Sequence, residues 1–104
     1  MAKTTEPELG RVVMQVLAGE PCGEATVRTL IKKAPDHVTL TEDDYQQSPT
    51  REHEAMWEQR VRNLKSHDKT PGNVIGEGYV AHISRGRYRL TDVGWLHIKN
   101  KGWA

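Results

Sequence analysis

"GYVAHISRGRYRLTDVG", Gly78 to Gly94, alternates apolar and polar residues on both sides of Arg85-Gly86 and then stops at a Thr-Asp pair. The alternation is that of two short strands, Tyr79 to Ser84 and Arg87 to Leu90, and Gly86 supplies the positive φ that a tight reversal favours. A period of two sends Tyr88 and Leu90 to one face and Arg87 and Arg89 to the other, with Arg85 at the tip. Thr91 is placed to cap a following helix over "DVGWLHIKN", with Asp92 in its first turn and Val93, Leu96 and Trp95 as packing residues. The stretch reads as an arginine-edged hairpin fastened to a helical body.

Working back along the chain, helical spacing takes over. Leu9, Val12, Val13, Val16 and Leu17 fall on one face of a first helix, which Pro7 and two glutamates suit at its start and "GEPCG" stops. A second helix is predicted over "EATVRTLIKKAP", Glu24 to Pro35, with Val27, Leu30, Ile31 and Ala34 facing inward and Pro35 closing it. Val38 and Leu40 alternate as in a small strand, and Thr41 with Asp44 resembles a capping box for a short helix over "EDDYQQ". The acidic run Glu42, Asp43 and Asp44 fits helix-start electrostatics better than a metal site.

The longest helix is predicted over residues 51 to 67, "REHEAMWEQRVRNLKSH", capped by Thr50 or Ser48. At 100° per residue Trp57 centres its buried face beside His53, Val61 and Leu64, with Met56 and Arg60 at one margin. The opposite face collects Arg51, Glu52, Ala55, Gln59, Arg62 and Ser66. The connection that follows, "DKTPGNVIGEGYV", is rich in turn residues, and its Gly76 and Gly78 lack the GK[ST] of a phosphate loop.

The 104 residues suffice for one domain, 1–104, whose first five residues are expected to be flexible. Net charge is only +1, but residues 55–104 carry nine Lys or Arg against four Asp or Glu, while residues 1–54 carry six against ten. The hairpin's half is therefore the basic one, a pattern associated with nucleic acid or an acidic partner. No apolar run approaches the roughly 18 residues of a membrane span. The start "MAKTTEPELG" has no secretory h-region, and a single cysteine, Cys22, rules out an intramolecular disulfide; a cytoplasmic protein is expected.

The predicted order is helix, helix, short strand, short helix, long helix, hairpin and terminal helix. That is the order of an α+β winged helix-turn-helix, with residues 51–67 as recognition helix and 79–90 as wing. A helix of about 10–12 Å diameter fits the DNA major groove, and an arginine-bearing hairpin beside it can reach phosphates.

"LTEDD" at 40–44, "MWEQRVRNLKSH" at 56–67 and "GYVAHISRGRYRLTDVG" at 78–94 resemble the N-terminal winged-helix module of Mrr-type restriction endonucleases and related HNH-type proteins. The resemblance spans about residues 23 to 95. It implies a winged helix that binds double-stranded DNA as a detached reader or small regulator, and it raises recognition of modified bases. The Pro-Gly-rich connection at 69–78 is longer than the family pattern, and Trp95 stands where a basic or small residue is common.

No Asp…(Glu/Gln)-x-Lys arrangement and no HNH-like histidine pair accompanies the motifs. The five histidines show no H-x₃-H spacing, and one cysteine cannot make a zinc-finger pair. No catalytic role, cofactor or metal is expected. The expected partner is duplex DNA: Arg51, Gln59, Arg62 and Ser66 toward the groove, Lys65 on phosphate, and Arg85, Arg87 and Arg89 on phosphates or a narrow minor groove. Arg89 has an alternative partner in Asp92. The rival reading is a protein-interaction module or homodimer built on the same scaffold.

Overall fold

The computed structural model describes residues 5–37 and 55–103. The small strand expected around Val38 and Leu40, the short helix over "EDDYQQ", the caps Ser48 and Thr50, and residues 51–54 with Arg51 and His53 all lie outside those ranges. So do residues 1–4 of the segment expected to be flexible.

Helix α1 spans Glu6–Ala18. Thr5 caps it by accepting a hydrogen bond from the Glu8 N–H at 3.3 Å. The spacing predicted its inner face: Leu9, Val12, Val13, Val16 and Leu17 are all buried, and Met14 joins them. A 3₁₀ turn over Pro21–Gly23 then reverses the chain, with Cys22 and Gly23 both at positive φ.

The next residues depart from the sequence reading. Glu24–Thr26, expected to open the second helix, form strand β1, and helix α2 covers only Val27–Lys33. The physical reason is twofold. Thr26 is extended and caps α2, accepting from the Thr29 N–H at 3.3 Å. The backbone of Glu24–Thr26 is claimed by a ladder with a strand more than sixty residues away, which no local pattern reveals. Ala34–Asp36 end α2 as a 3₁₀ turn around Pro35.

Helix α3 covers Met56–Arg62 rather than the whole of 51–67. Ala55 is already extended at its start, and the Glu58 carboxylate accepts from the Ala55 N–H at 3.0 Å; alanine itself has no side-chain acceptor, so this is half of a capping box. Beyond Arg62 the chain continues as turns. The Leu64 carbonyl, which would continue the helix ladder, accepts instead from Asn73 Nδ2 at 3.1 Å. Asn73 is buried, binds Glu6 Oε2 at 3.1 Å, and accepts from the Ile75 and Gly76 N–H groups at 2.8 and 3.2 Å. One side chain thus holds the turn-rich connection against α1. Trp57, Val61 and Leu64 are buried as the wheel predicted.

Strands β2, Val80–Ser84, and β3, Arg87–Leu90, form the predicted hairpin. The sheet is antiparallel in the order β1-β3-β2, so β3 is central. Val80 pairs with Leu90, Ala81 with Arg89 and His82 with Tyr88, then an irregularity at Ile83 leaves Ser84 opposite Arg87. On the far side Glu24 pairs with Arg89, Ala25 with Tyr88 and Thr26 with Arg87. Ala25, Val80, Tyr88 and Leu90 line the inner face and are buried.

Helix α4, Asp92–Lys101, begins as predicted: Thr91 Oγ1 accepts from the Gly94 N–H at 3.0 Å. Gly102 ends it at positive φ, which lets the Trp103 N–H reach the Ile98 carbonyl at 3.1 Å. Its inward residues differ from expectation. Gly94 and Ile98 face the core, while Val93 and Leu96 are 56% and 58% exposed and Trp95 is 39% exposed. Gly94 sits so close to the Tyr79 carbonyl that a Cβ there would collide with it, and this contact sets the helix's rotation.

The described residues therefore make an α+β domain, four helices with a three-stranded antiparallel sheet. None of these helices is long and apolar enough to cross a membrane.

Candidate nucleic-acid interface

The central strand carries the candidate site because its alternation is enforced from both edges. Tyr88 and Leu90 are buried, so Arg87 and Arg89 must project from the opposite face, and both are exposed. Arg85 is exposed in the turn beside Gly86, whose φ is 70°. The hairpin tip is not a free loop: the Gly86 carbonyl accepts from the Val27 N–H at 2.9 Å, tying the turn to the first residue of α2. Arg28, the next residue, is exposed there too and adds a fourth arginine that the sequence reading missed. Only the long-range pairing of β1 with β3 brings it to the hairpin.

The three predicted hairpin arginines differ in their surroundings. Arg87 Nη1 lies 3.0 Å from Glu24 Oε2 on the neighbouring strand. Arg85 and Arg89 form no ion pair among the described residues, and the alternative pairing of Arg89 with Asp92 is not among the contacts made there. Arg89 stands in a row between Glu24 and Ala81, so one small and one acidic residue flank it.

The predicted helix residues are dispersed. Arg62 is exposed at the last position of α3, and Ser66 is exposed in the turns beyond it. Lys65 Nζ is 2.9 Å from Asp68 Oδ2, and this lysine holds the Asp68 carboxyl below the usual range. Gln59 is half-buried and lines a cleft of about 330 Å³ with Glu6, Met56, Arg60, Asn63, His67 and Thr70. An ion pair at 3.0 Å between Arg60 and Glu6 crosses that cleft, in keeping with the structural role its position at the margin suggested.

Tyr88 connects the two regions. Burial pushes its phenol up, and a backbone hydrogen bond from Lys65 pulls it partly back. The turn after α3 therefore meets the inner face of the sheet, whereas Arg87 and Arg89 occupy the outer one. Lys65 is thus tied to the inner face of the sheet, while Arg87 and Arg89 lie on the outer one.

Among the described residues no three His, Cys, Asp or Glu side chains gather as a metal-binding group. Instead Tyr79 and His97 stack with ring centroids 4.2 Å apart, and Trp103 meets His97 edge-on at 5.3 Å.

No family model, curated protein or solved structure matches the chain. The resemblance to the restriction-endonuclease module thus rests on its quoted motifs.

Proposed function

We propose that this protein is a winged-helix module that binds double-stranded DNA, with the β2–β3 hairpin as its wing and phosphates as the first partner of Arg85 and Arg89. The observation that carries the reading is the outward row of arginines on a central strand whose other face is locked into the core. Two features support the winged-helix assignment: a strand inserted between α1 and α2, and a sheet in the order β1-β3-β2 closed by the hairpin. Arg28 extends the basic surface at the tip.

A net charge of +1 is small for a tight binder, so affinity on this reading is concentrated in a few phosphate contacts and is steeply salt-dependent. In the restriction-module resemblance these residues correspond to the part that reads DNA.

The test is a titration of a fluorescent mixed-sequence duplex at several salt concentrations. Binding is expected at low salt, with log K falling linearly in log salt, and the double substitution Arg85→Ala with Arg89→Ala should flatten the slope by about one unit per residue. Absence of any anisotropy change at low salt would overturn the proposal and favour a protein partner for the same face.

A further inference from the structure

We infer that the outer face of α4 is a self-association surface, whose occupant is the same face of a second copy of this chain in an antiparallel, two-fold arrangement. Val93 and Leu96 are each more than half exposed on a ten-residue helix whose inward side is already satisfied by Gly94 and Ile98. Two large aliphatic side chains exposed one turn apart form a patch rather than scattered exceptions.

What selects a second copy is the placement of charge around that patch. At 100° per residue, with Leu96 at the centre, Asp92 and Lys99 fall on the same flank, about 20° apart around the helix. Asp92 lies about 6 Å toward the N-terminus from Leu96, and Lys99 about 4.5 Å toward the C-terminus. A two-fold axis perpendicular to the helix at Leu96 keeps each flank on its own side and reverses direction along the axis. It therefore brings Asp92 of each copy against Lys99 of the other, twice, with the two leucines meeting at the centre. On the other flank Val93 meets the short polar side chain of Asn100. Both charged residues are exposed and form no ion pair among the described residues. The antiparallel arrangement also sets the helix dipoles head to tail.

The face is isologous, the commonest form of dimer contact. A ten-residue helix is about 15 Å long, so one such contact falls at the low end of specific interfaces, which bury about 1,200 Å² or more. The association is accordingly weak and reversible. The inference does not depend on what the hairpin binds.

The experiment is sedimentation velocity of the full chain from about 5 to 500 µM, a range that spans micromolar dissociation constants. A concentration-dependent shift toward dimer is expected, and Leu96→Glu should abolish it while leaving the circular dichroism spectrum unchanged. Two charge variants give the decisive comparison. Asp92→Lys alone and Lys99→Asp alone each place like charges across the two-fold axis and should each remain monomeric. Mixed in equal amounts they should associate at least tenfold more strongly than either alone, because both cross-contacts are then attractive Lys-Asp pairs and no like-charged contact remains. Monomer at every concentration, dimers indifferent to Leu96→Glu, or no gain on mixing would each overturn the inference; the mixing result holds even where a single substitution weakens the helix.

Discussion

Arg87 and Glu24 face each other across neighbouring strands, guanidinium to carboxylate at 3.0 Å, on the outer surface of the sheet. The pair is solvent-exposed and so contributes only about 0.2–1 kcal/mol, small enough for a phosphate to displace the carboxylate. Glu24 then acts as a built-in competitor for the central wing cation.

Removing that competitor should strengthen duplex binding. Glu24→Gln keeps the strand geometry, and we expect it to raise low-salt affinity by up to about fivefold, the equivalent of about 1 kcal/mol. The gain should vanish in the Arg87→Ala background. Unchanged affinity in Glu24→Gln, measured in the same anisotropy titration, would place Arg87 outside the binding surface.

Trp57 fills the junction between α3 and the rest of the core at 5% exposure, yet its indole Nε1 has no hydrogen-bond partner among the described residues. Trp57→Ala should cost about 3–5 kcal/mol in urea denaturation, as for other large core truncations. Trp57→Phe should cost less than half of that, because it keeps a buried aromatic ring and, like the alanine substitution, removes a donor whose unpaired state carries a penalty of about 1–3 kcal/mol. Equal losses for the two substitutions would mean that an aromatic ring of this size recovers none of the core packing.

Gly94 reverses the usual helix-propensity rule. In an exposed helix Gly→Ala stabilises by about 1 kcal/mol, but here the new Cβ would collide with the Tyr79 carbonyl. Gly94→Ala should therefore destabilise by about 1–3 kcal/mol, the range for overpacking. Thermal unfolding decides the sign, and stabilisation would show that α4 can move off the sheet.

Tyr88 makes stability depend on alkaline pH. Its folded pKa is raised above the ordinary 10.0, with burial as the main cause, so the fold favours the neutral phenol. Its contribution is complete below the unfolded value and is lost as pH rises through the higher folded one. Tyr88→Phe should lose less stability than the unmodified chain between pH 9 and pH 11, measured by denaturation at each pH. Equal slopes would show that the phenol is solvated in the native state.

Much of this architecture was legible in local pattern. The five apolar residues of α1, the Thr91 cap, the Gly86 turn and the inward Tyr88 and Leu90 follow from periodicity and turn chemistry alone, because each depends on neighbours within a few residues. The outward direction of Arg87 and Arg89 follows in the same way.

Other features were decided in three dimensions. Glu24–Thr26 became a strand because β3 offered an unpaired edge; a three-residue element has too little sequence to announce itself. α3 stopped at Arg62, where Asn63 leaves helical geometry and the Leu64 N–H turns to the Val61 carbonyl, and Asn73, far along the connection, holds the turn that follows through the Leu64 carbonyl. Gly94 turned Ile98 inward and left Val93 and Leu96 outside, a choice that helical spacing alone leaves open. The alternation of the hairpin, written in the chain itself, determined which arginines could face a ligand. Tertiary packing decided their company: Glu24 beside Arg87, Arg28 beside the tip, and a sheet between the wing and Lys65. The difference is one of range, since side-chain periodicity is a property of the local backbone, whereas an ion pair or a strand edge exists only once distant segments meet.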